Sequence, residues 1–218
     1  MSYQDNSQEG RESLENLKNI AVLASGNGSN FQAIVEAVKR GKIKANLKLL
    51  VSDNPQAYCL QRAARVKVKA FIVDRRDFIN KKDSEEQIIR KLRLEKIDLI
   101  VLAGFMRLLS GEFIRKYRGR ILNIHPSLLP AFKGSQAIKD AFDYGAKVSG
   151  VTVHFVDEET DHGPIILQEP LEIKAGWGLR ELEKNIHGLE HKIYPRAISL
   201  FLKGRLGLEG RKVKILKP

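Results

Sequence analysis

The stretch Asn19-Ile20-Ala21-Val22-Leu23-Ala24-Ser25-Gly26-Asn27-Gly28-Ser29-Asn30 decides how the chain is read. Its first six residues are a short apolar run, the pattern of a strand buried on both faces of a parallel sheet. Behind the glycines, Phe31, Ile34, Val35 and Val38 recur at helical spacing as far as Gly41. Strand, glycine loop and helix in that order form a cradle for an anion. Glycine lets the backbone come close, and the helix N-terminus offers free N–H groups and the positive end of its dipole. Ser29 and Asn30 add side-chain donors. The spacing is neither GxGxxG nor GxxxxGKS/T, so the dinucleotide and P-loop patterns fail, and a single phosphate suits it better. A tight strand-to-helix turn with a good cap would use the same residues.

Outward from that stretch, strands and helices alternate. Residues 47–51 read as a second strand, closed by the turn cluster Ser52-Asp53-Asn54-Pro55. A helix is expected over 56–65, a strand over 69–73, a helix over 82–95 with Ile88, Ile89 and Leu92 on its apolar side, and a buried strand over 98–102. A short helix over 112–118 leads to the strand that begins at Ile121. After a helix over 135–142, Val151, Val153 and Phe155 alternate with Thr152 and His154 in a half-buried antiparallel strand, and 165–173 pairs back on it. Residues 179–202 form a long amphipathic helix, expected to be broken or capped near Gly188 and kinked at Pro195. The expected fold is a Rossmann-like α/β architecture: an open, mainly parallel twisted sheet with helices on both faces and an antiparallel C-terminal part. Residues 1–18 read as a mobile leader, 19–206 as a single domain, and 207–218 as a basic tail with room for an edge strand. Ligands in such sheets bind beyond the carboxyl ends of the strands.

The fifth strand ends in Ile121-Leu122-Asn123-Ile124-His125-Pro126-Ser127-Leu128-Leu129-Pro130. Asn123 and His125 are two apart, so both point to one side of an extended backbone. One carries an amide, the other an imidazole that takes up a proton near neutral pH. The prolines forbid a regular continuation. A fixed active-site edge and a strand end whose polar residues cap a turn both fit. The loop Ala103-Gly104-Phe105-Met106-Arg107-Leu108-Leu109-Ser110 could line an apolar slot with a polar handle for a flat aromatic ligand, or pack back on the core. His154 reads as an edge or packed histidine. In the acidic loop Asp157-Glu158-Glu159-Thr160-Asp161-His162-Gly163-Pro164, Asp161 stands out because Gly163-Pro164 closes the turn directly after it.

Carboxylate, imidazole and amide on one rim make an acid/base set. The amide can hydrogen-bond an oxygen that turns negative in a tetrahedral intermediate, and the carboxylate can hold the histidine's protonation state or a water. No activated serine or cysteine is evident, so direct attack by a substrate amine is simpler than an acyl-enzyme. Zinc on His125, His154, Asp161 and His162 is disfavoured, because HExxH and CxxC spacings are missing.

At 218 residues and 43% hydrophobic content, the chain can bury a sizeable core. The lone Cys59 rules out an internal disulfide, fits a reducing compartment and reads as a small core residue. No apolar run nears the ~20 residues of a membrane helix and no secretory h-region is visible, so a cytoplasmic protein without a membrane partner is expected. The net charge of +12 favours anionic partners: phosphorylated metabolites, polyglutamate-like acids or nucleic acid. Aromatics are 7% and no basic stripe is interleaved with them, so a solvated basic surface is preferred over a nucleic-acid partner.

Four segments in order carry a family resemblance: 24–30, 104–110, 123–130 and Val153-His154-Phe155 through Asp161-His162-Gly163-Pro164. From Asn19 to Leu206 the chain closely resembles the phosphoribosylglycinamide formyltransferase family, folate-dependent enzymes of purine biosynthesis. The resemblance implies transfer of the formyl group of 10-formyltetrahydrofolate, a cosubstrate, to the amine of glycinamide ribonucleotide, without a metal. It implies catalytic roles for Asn123, His125 and Asp161, and a phosphate loop at Gly28, Ser29 and Asn30. Glu190 would contact the ribonucleotide. Met106, Arg107, Leu108 and Leu109 would line the folate slot, with Lys81, Asn123, Val156 and Asp157 around it. A monomer or homodimer is expected. Two positions depart from the family pattern. His162 stands where Asp-Gly-Gly is frequent, and Lys81 where an arginine is common, which loses a bidentate fork. A tRNA-directed formyltransferase would need an added C-terminal barrel that 218 residues do not hold. A binding regulator without turnover would have no use for the acid/base set.

Overall fold

The computed structural model describes residues 17–217, so the leader expected over 1–18 lies outside the described residues except for its last two. The elements are β1 (Asn19–Leu23), α1 (Ser29–Lys39), β2 (Asn46–Ser52), α2 (Tyr58–Arg65), β3 (Lys69–Ile72), α3 (Lys81–Leu94) and β4 (Leu99–Leu102). They continue as α4 (Gly111–Lys116), β5 (Ile121–His125), α5 (Ala137–Asp143), β6 (Val148–Phe155), β7 (Ile165–Glu172), α6 (Leu179–Leu202), β8 (Leu206–Glu209) and β9 (Lys212–Ile215). The main sheet runs β3-β2-β1-β4-β5-β6-β7. Its pairs are parallel from β3 to β5 and antiparallel from β5 to β7. This is the expected doubly covered, mainly parallel sheet with an antiparallel end.

Alternate residues of each strand feed opposite faces. Ile20, Val22, Leu50, Val101, Leu122 and Ile124 pack with α1, α2 and α6. Ala21, Leu23, Leu49, Val51, Ile100 and Ile121 pack with α3 and α4, through Ile88, Ile89, Leu92, Phe113 and Ile114. All of β1 after Asn19 is fully buried, which explains its unbroken apolar run. Strand order reverses between β1 and β4, so the loops after these two strands diverge and leave a crevice at their carboxyl ends, where α/β sheets bind ligands.

Two expectations need correction. The last long helix is not broken at Gly188; α6 runs as one element from Leu179 to Leu202, with Pro195 inside it. Interior glycine and proline together disfavour a helix by about 4 kcal/mol. Burial of Leu182, Ile186, Ile193, Tyr194, Ala197 and Ile198 at 5% exposure or less outweighs this, at about 1.5–3 kcal/mol for each large apolar side chain. The basic tail, in turn, is folded from its start. β8 and β9 form a separate antiparallel hairpin rather than an edge of the main sheet, and Arg205 and Leu216 close its base by exchanging hydrogen bonds. Among the described residues, no helix is long and apolar enough to cross a membrane.

Candidate active site

The loop after β1 is held from two sides. Ser25 N–H donates to the Gly104 carbonyl (3.0 Å), and the Ser25 hydroxyl accepts from Met106 N–H (2.9 Å), which ties it to the loop after β4. Gly28 caps α1 in the left-handed region (φ 74°), and a Cβ there would sit 2.5 Å from the Cys59 Cβ on α2. Only glycine fits this position, for the sake of α2 as much as of any ligand. The first turn of α1 has no side-chain cap, so its N–H groups remain available to an anion. Arg62 holds Asn27 in place through its carbonyl (2.9 Å) and its amide oxygen (3.0 Å). Asn30 donates to Glu190 Oε2 (2.9 Å), and the same oxygen meets His187 Nδ1 (2.9 Å). Glu190 is 4% exposed. Its carboxylate pushes the half-exposed His187 above the usual histidine pKa. Asn30 Oδ1 is buried without a partner.

Asn123 and His125 share the β5 face of Ile121, toward α3 and α4. Because β6 is antiparallel, Phe155 lies opposite Leu122, about 10 Å short of His125 along the strand. The 156–164 loop therefore doubles back, and it brings Asp161 Oδ2 to 3.3 Å from His125 Nδ1. That oxygen also accepts Gly134 N–H (2.8 Å), while Oδ1 stands 3.5 Å from Asn123 Nδ2. His125 Nε2 is 2.7 Å from the Phe132 carbonyl. Both of its ring nitrogens thus face acceptors, an arrangement fully satisfied by an imidazolium. Asn123 Nδ2 is 3.2 Å from His154 Nε2, whose Nδ1 faces the Phe155 carbonyl at 2.7 Å. Burial pushes His154 below the usual histidine range. A neutral ring donating from Nδ1 leaves Nε2 to accept the Asn123 amide, which fixes that amide's orientation.

The slot residues are only partly assembled by side-chain contacts. Met106 and Leu108 are 67% and 65% exposed, an apolar surface beside the crevice, with Leu109 and Val156 packed at its base. Arg107 turns back to Ser84 (2.8 Å), and its Nη1 is buried without a partner. Lys81 starts α3 and lies 3.7 Å from Glu85, whose carboxylate also accepts the Ser110 N–H and hydroxyl. Asp157 engages His162 (2.9 Å).

Asn123, His125 and Asp161 converge, and so do the glycine loop and Glu190. Sequence reading passed over three participants. His154 read as an edge or packed histidine; it is packed, at 2% exposure, but the β5–β6 register that sets it opposite Asn123 cannot be read from alternation alone. His187 was missed, although it precedes Glu190 by one helical turn. The backbone of Phe132 and Gly134, which holds His125 and Asp161, leaves no side-chain signal. Among the described residues, no group of three or more His, Cys, Asp or Glu side chains is placed to hold a metal ion.

Known proteins of the same build place the chain. The formyl transferase family model matches residues 18–198, and the chain belongs to that family. Within it, relatives of similar length include phosphoribosylglycinamide formyltransferases. The phosphoribosylglycinamide formyltransferase of Bacillus subtilis (strain 168) is 48% identical over 198 residues, covering 91% of this chain and all of that protein. The Escherichia coli (strain K12) phosphoribosylglycinamide formyltransferase is 40% identical, covering 86% of this chain and 89% of that one. The crystal structure of glycinamide ribonucleotide transformylase 1 from Symbiobacterium toebii superposes with a TM-score of 0.90 at 43% identity, covering 92% of this chain and 95% of that chain.

Proposed function

We propose that the chain transfers the formyl group of 10-formyltetrahydrofolate to the amine of glycinamide ribonucleotide, a step of purine biosynthesis. The kinship of full-length relatives supports this reading, and one observation carries the chemistry: Asp161 meets both His125 and Asn123 from a different strand pair. The ribonucleotide phosphate sits on the N–H groups of 28–30, and the ribose lies toward Glu190 and the Asn30 amide. The folate lies along Met106, Leu108, Leu109 and Val156, bordered by Lys81, Arg107 and Asp157.

The substrate amine attacks the formyl carbon, and the carbonyl electron pair moves onto oxygen. That oxyanion accepts hydrogen bonds from Asn123 and from the His125 imidazolium, whose Nε2–H exchanges the Phe132 carbonyl for it while Nδ1 stays on Asp161. The weak 3.5 Å contact to Asp161 identifies the amide hydrogen that is free to turn to it. Asp161 supports the imidazolium and takes the amine proton through water. The carbon–nitrogen bond to the folate then breaks, and the folate nitrogen leaves with a proton. No side chain need be acylated. Cys59 is fully buried against the Ala24 carbonyl, with its thiol pushed up by burial, and the Ser127 hydroxyl is spent on the Ala131 carbonyl.

The test is to mix the purified chain with both substrates and follow release of tetrahydrofolate. The wild type turns over, and His125→Ala lowers kcat by about 10²–10³-fold, the worth of a lost oxyanion donor, while ribonucleotide affinity stays within a few-fold. An inactive wild type overturns the activity. A fully active His125→Ala removes the imidazole from the mechanism.

A further inference from the structure

We infer that Arg211, at the turn of the β8–β9 hairpin, is a positioning residue that latches the 156–164 loop so that Asp161 stays on His125. The inference rests on the reading of Asp161 given above and adds a part of the chain that lies beyond residue 198, where the family match ends.

The loop has something to be held against. Asp161 adopts a left-handed backbone (φ 48°), a conformation that costs a non-glycine residue on the order of 1 kcal/mol. The residue after it is gripped from outside. Arg211 donates through Nη2 to the His162 carbonyl (2.5 Å), and its Nη1 lies 2.9 Å from His162 Nε2 and 3.2 Å from Nδ1. His162 Nδ1 is also 2.9 Å from Asp157 Oδ2. A guanidinium only donates and a carboxylate only accepts. The His162 ring donates from Nδ1 to Asp157, and the Arg211 guanidinium lies over both ring nitrogens, nearer Nε2. The imidazole thus joins the start of the loop to its end, and Arg211 fixes both that ring and the peptide beyond Asp161.

Two further contacts keep the grip from being slack. Arg115 on α4 holds Glu158 at 2.8 Å, on the opposite side of the loop. Gly163 closes against β6 so tightly that a Cβ would lie 1.8 Å from the Phe155 carbonyl. The hairpin that carries Arg211 has a sealed base, so the guanidinium projects from a built element rather than a loose end. A fork on one carbonyl and one ring is geometry that a lysine cannot reproduce.

The test compares Arg211→Ala, Arg211→Lys and His162→Gly, singly and with Arg211→Ala combined with His162→Gly. Arg211→Ala is expected to lower kcat about tenfold with the ribonucleotide KM within twofold, since misplacing a reacting group by a fraction of an ångström costs rate rather than nucleotide binding. Arg211→Lys recovers only part of the loss. The double variant is no worse than the poorer single one, because both remove the same latch. Amide hydrogen exchange of residues 157–162 rises in Arg211→Ala while that of β5 and β6 does not. Unchanged kcat with unchanged exchange overturns the latch, and so does a loss of kcat matched by an equal rise in ribonucleotide KM. If the wild type transfers no formyl group, the activity falls, and the exchange measurement still decides whether Arg211 holds the loop.

Discussion

Burial sets the charge of His154, and with it a pH dependence. The ring is 2% exposed, and desolvation outweighs the Phe155 carbonyl and Asp161, which both favour the charged form. The unfolded ring takes a proton near pH 6.5, the folded ring only at lower pH. Between those values the unfolded state binds more protons, so stability is lost as pH falls. His187 works the other way: its raised pKa adds stability that is complete below about 6.5 and fades as pH rises, weakened by its half-exposed position. In urea unfolding, wild type is expected to lose more stability than His154→Gln as the pH is lowered from 6.5 to 5.5. Equal slopes would show that the buried ring titrates normally. At this scale the sequence was most informative where geometry is local. Asn123 and His125 are two apart on one strand, and a Gly-Pro turn follows Asp161. The partner that orients the Asn123 amide comes from strand pairing, which no local pattern encodes.

Elements explain what single residues do not. A side chain at Gly28 would point at an anion on the loop only if nothing else stood in its way. In the fold it would first strike Cys59 on α2, and the left-handed backbone adds strain of about 1 kcal/mol. Gly28→Ala is therefore expected to lower thermal stability as well as ribonucleotide affinity. Removing the struck atom in Gly28→Ala/Cys59→Gly should return part of the affinity. Affinity that is not restored at all would place the crowding on the phosphate itself. The alternation of strands and helices was legible because each has its own apolar period. Gly188 misled because a helix breaker acts locally, whereas α6 is held by what it buries. The hairpin of 206–215 was read as a basic tail because lysines and arginines hide its short alternation.

At the scale of the molecule, one buried hydroxyl joins the two strands that carry the site. Tyr194 of α6 lies 2.7 Å from the Leu102 carbonyl and 2.9 Å from the Leu122 carbonyl, at the end of β4 and within β5. Full burial holds the phenol far above its usual pKa, so it remains a donor. Tyr194→Phe leaves both carbonyls without it, at a cost of about 1–3 kcal/mol, or about 2–4 °C in Tm for each kcal/mol. A Tm within ~1 °C of wild type would mean that other donors already satisfy them. The sheet order was not legible, since alternation fixes a class of fold but not which strands are neighbours. The hairpin also bears on where the protein can be shortened. Residue 206, where the repeating pattern stops, looks like a natural place to cut. A chain trimmed there would keep every strand of the main sheet and all three polar groups of the site, yet shed the arm that reaches back over them.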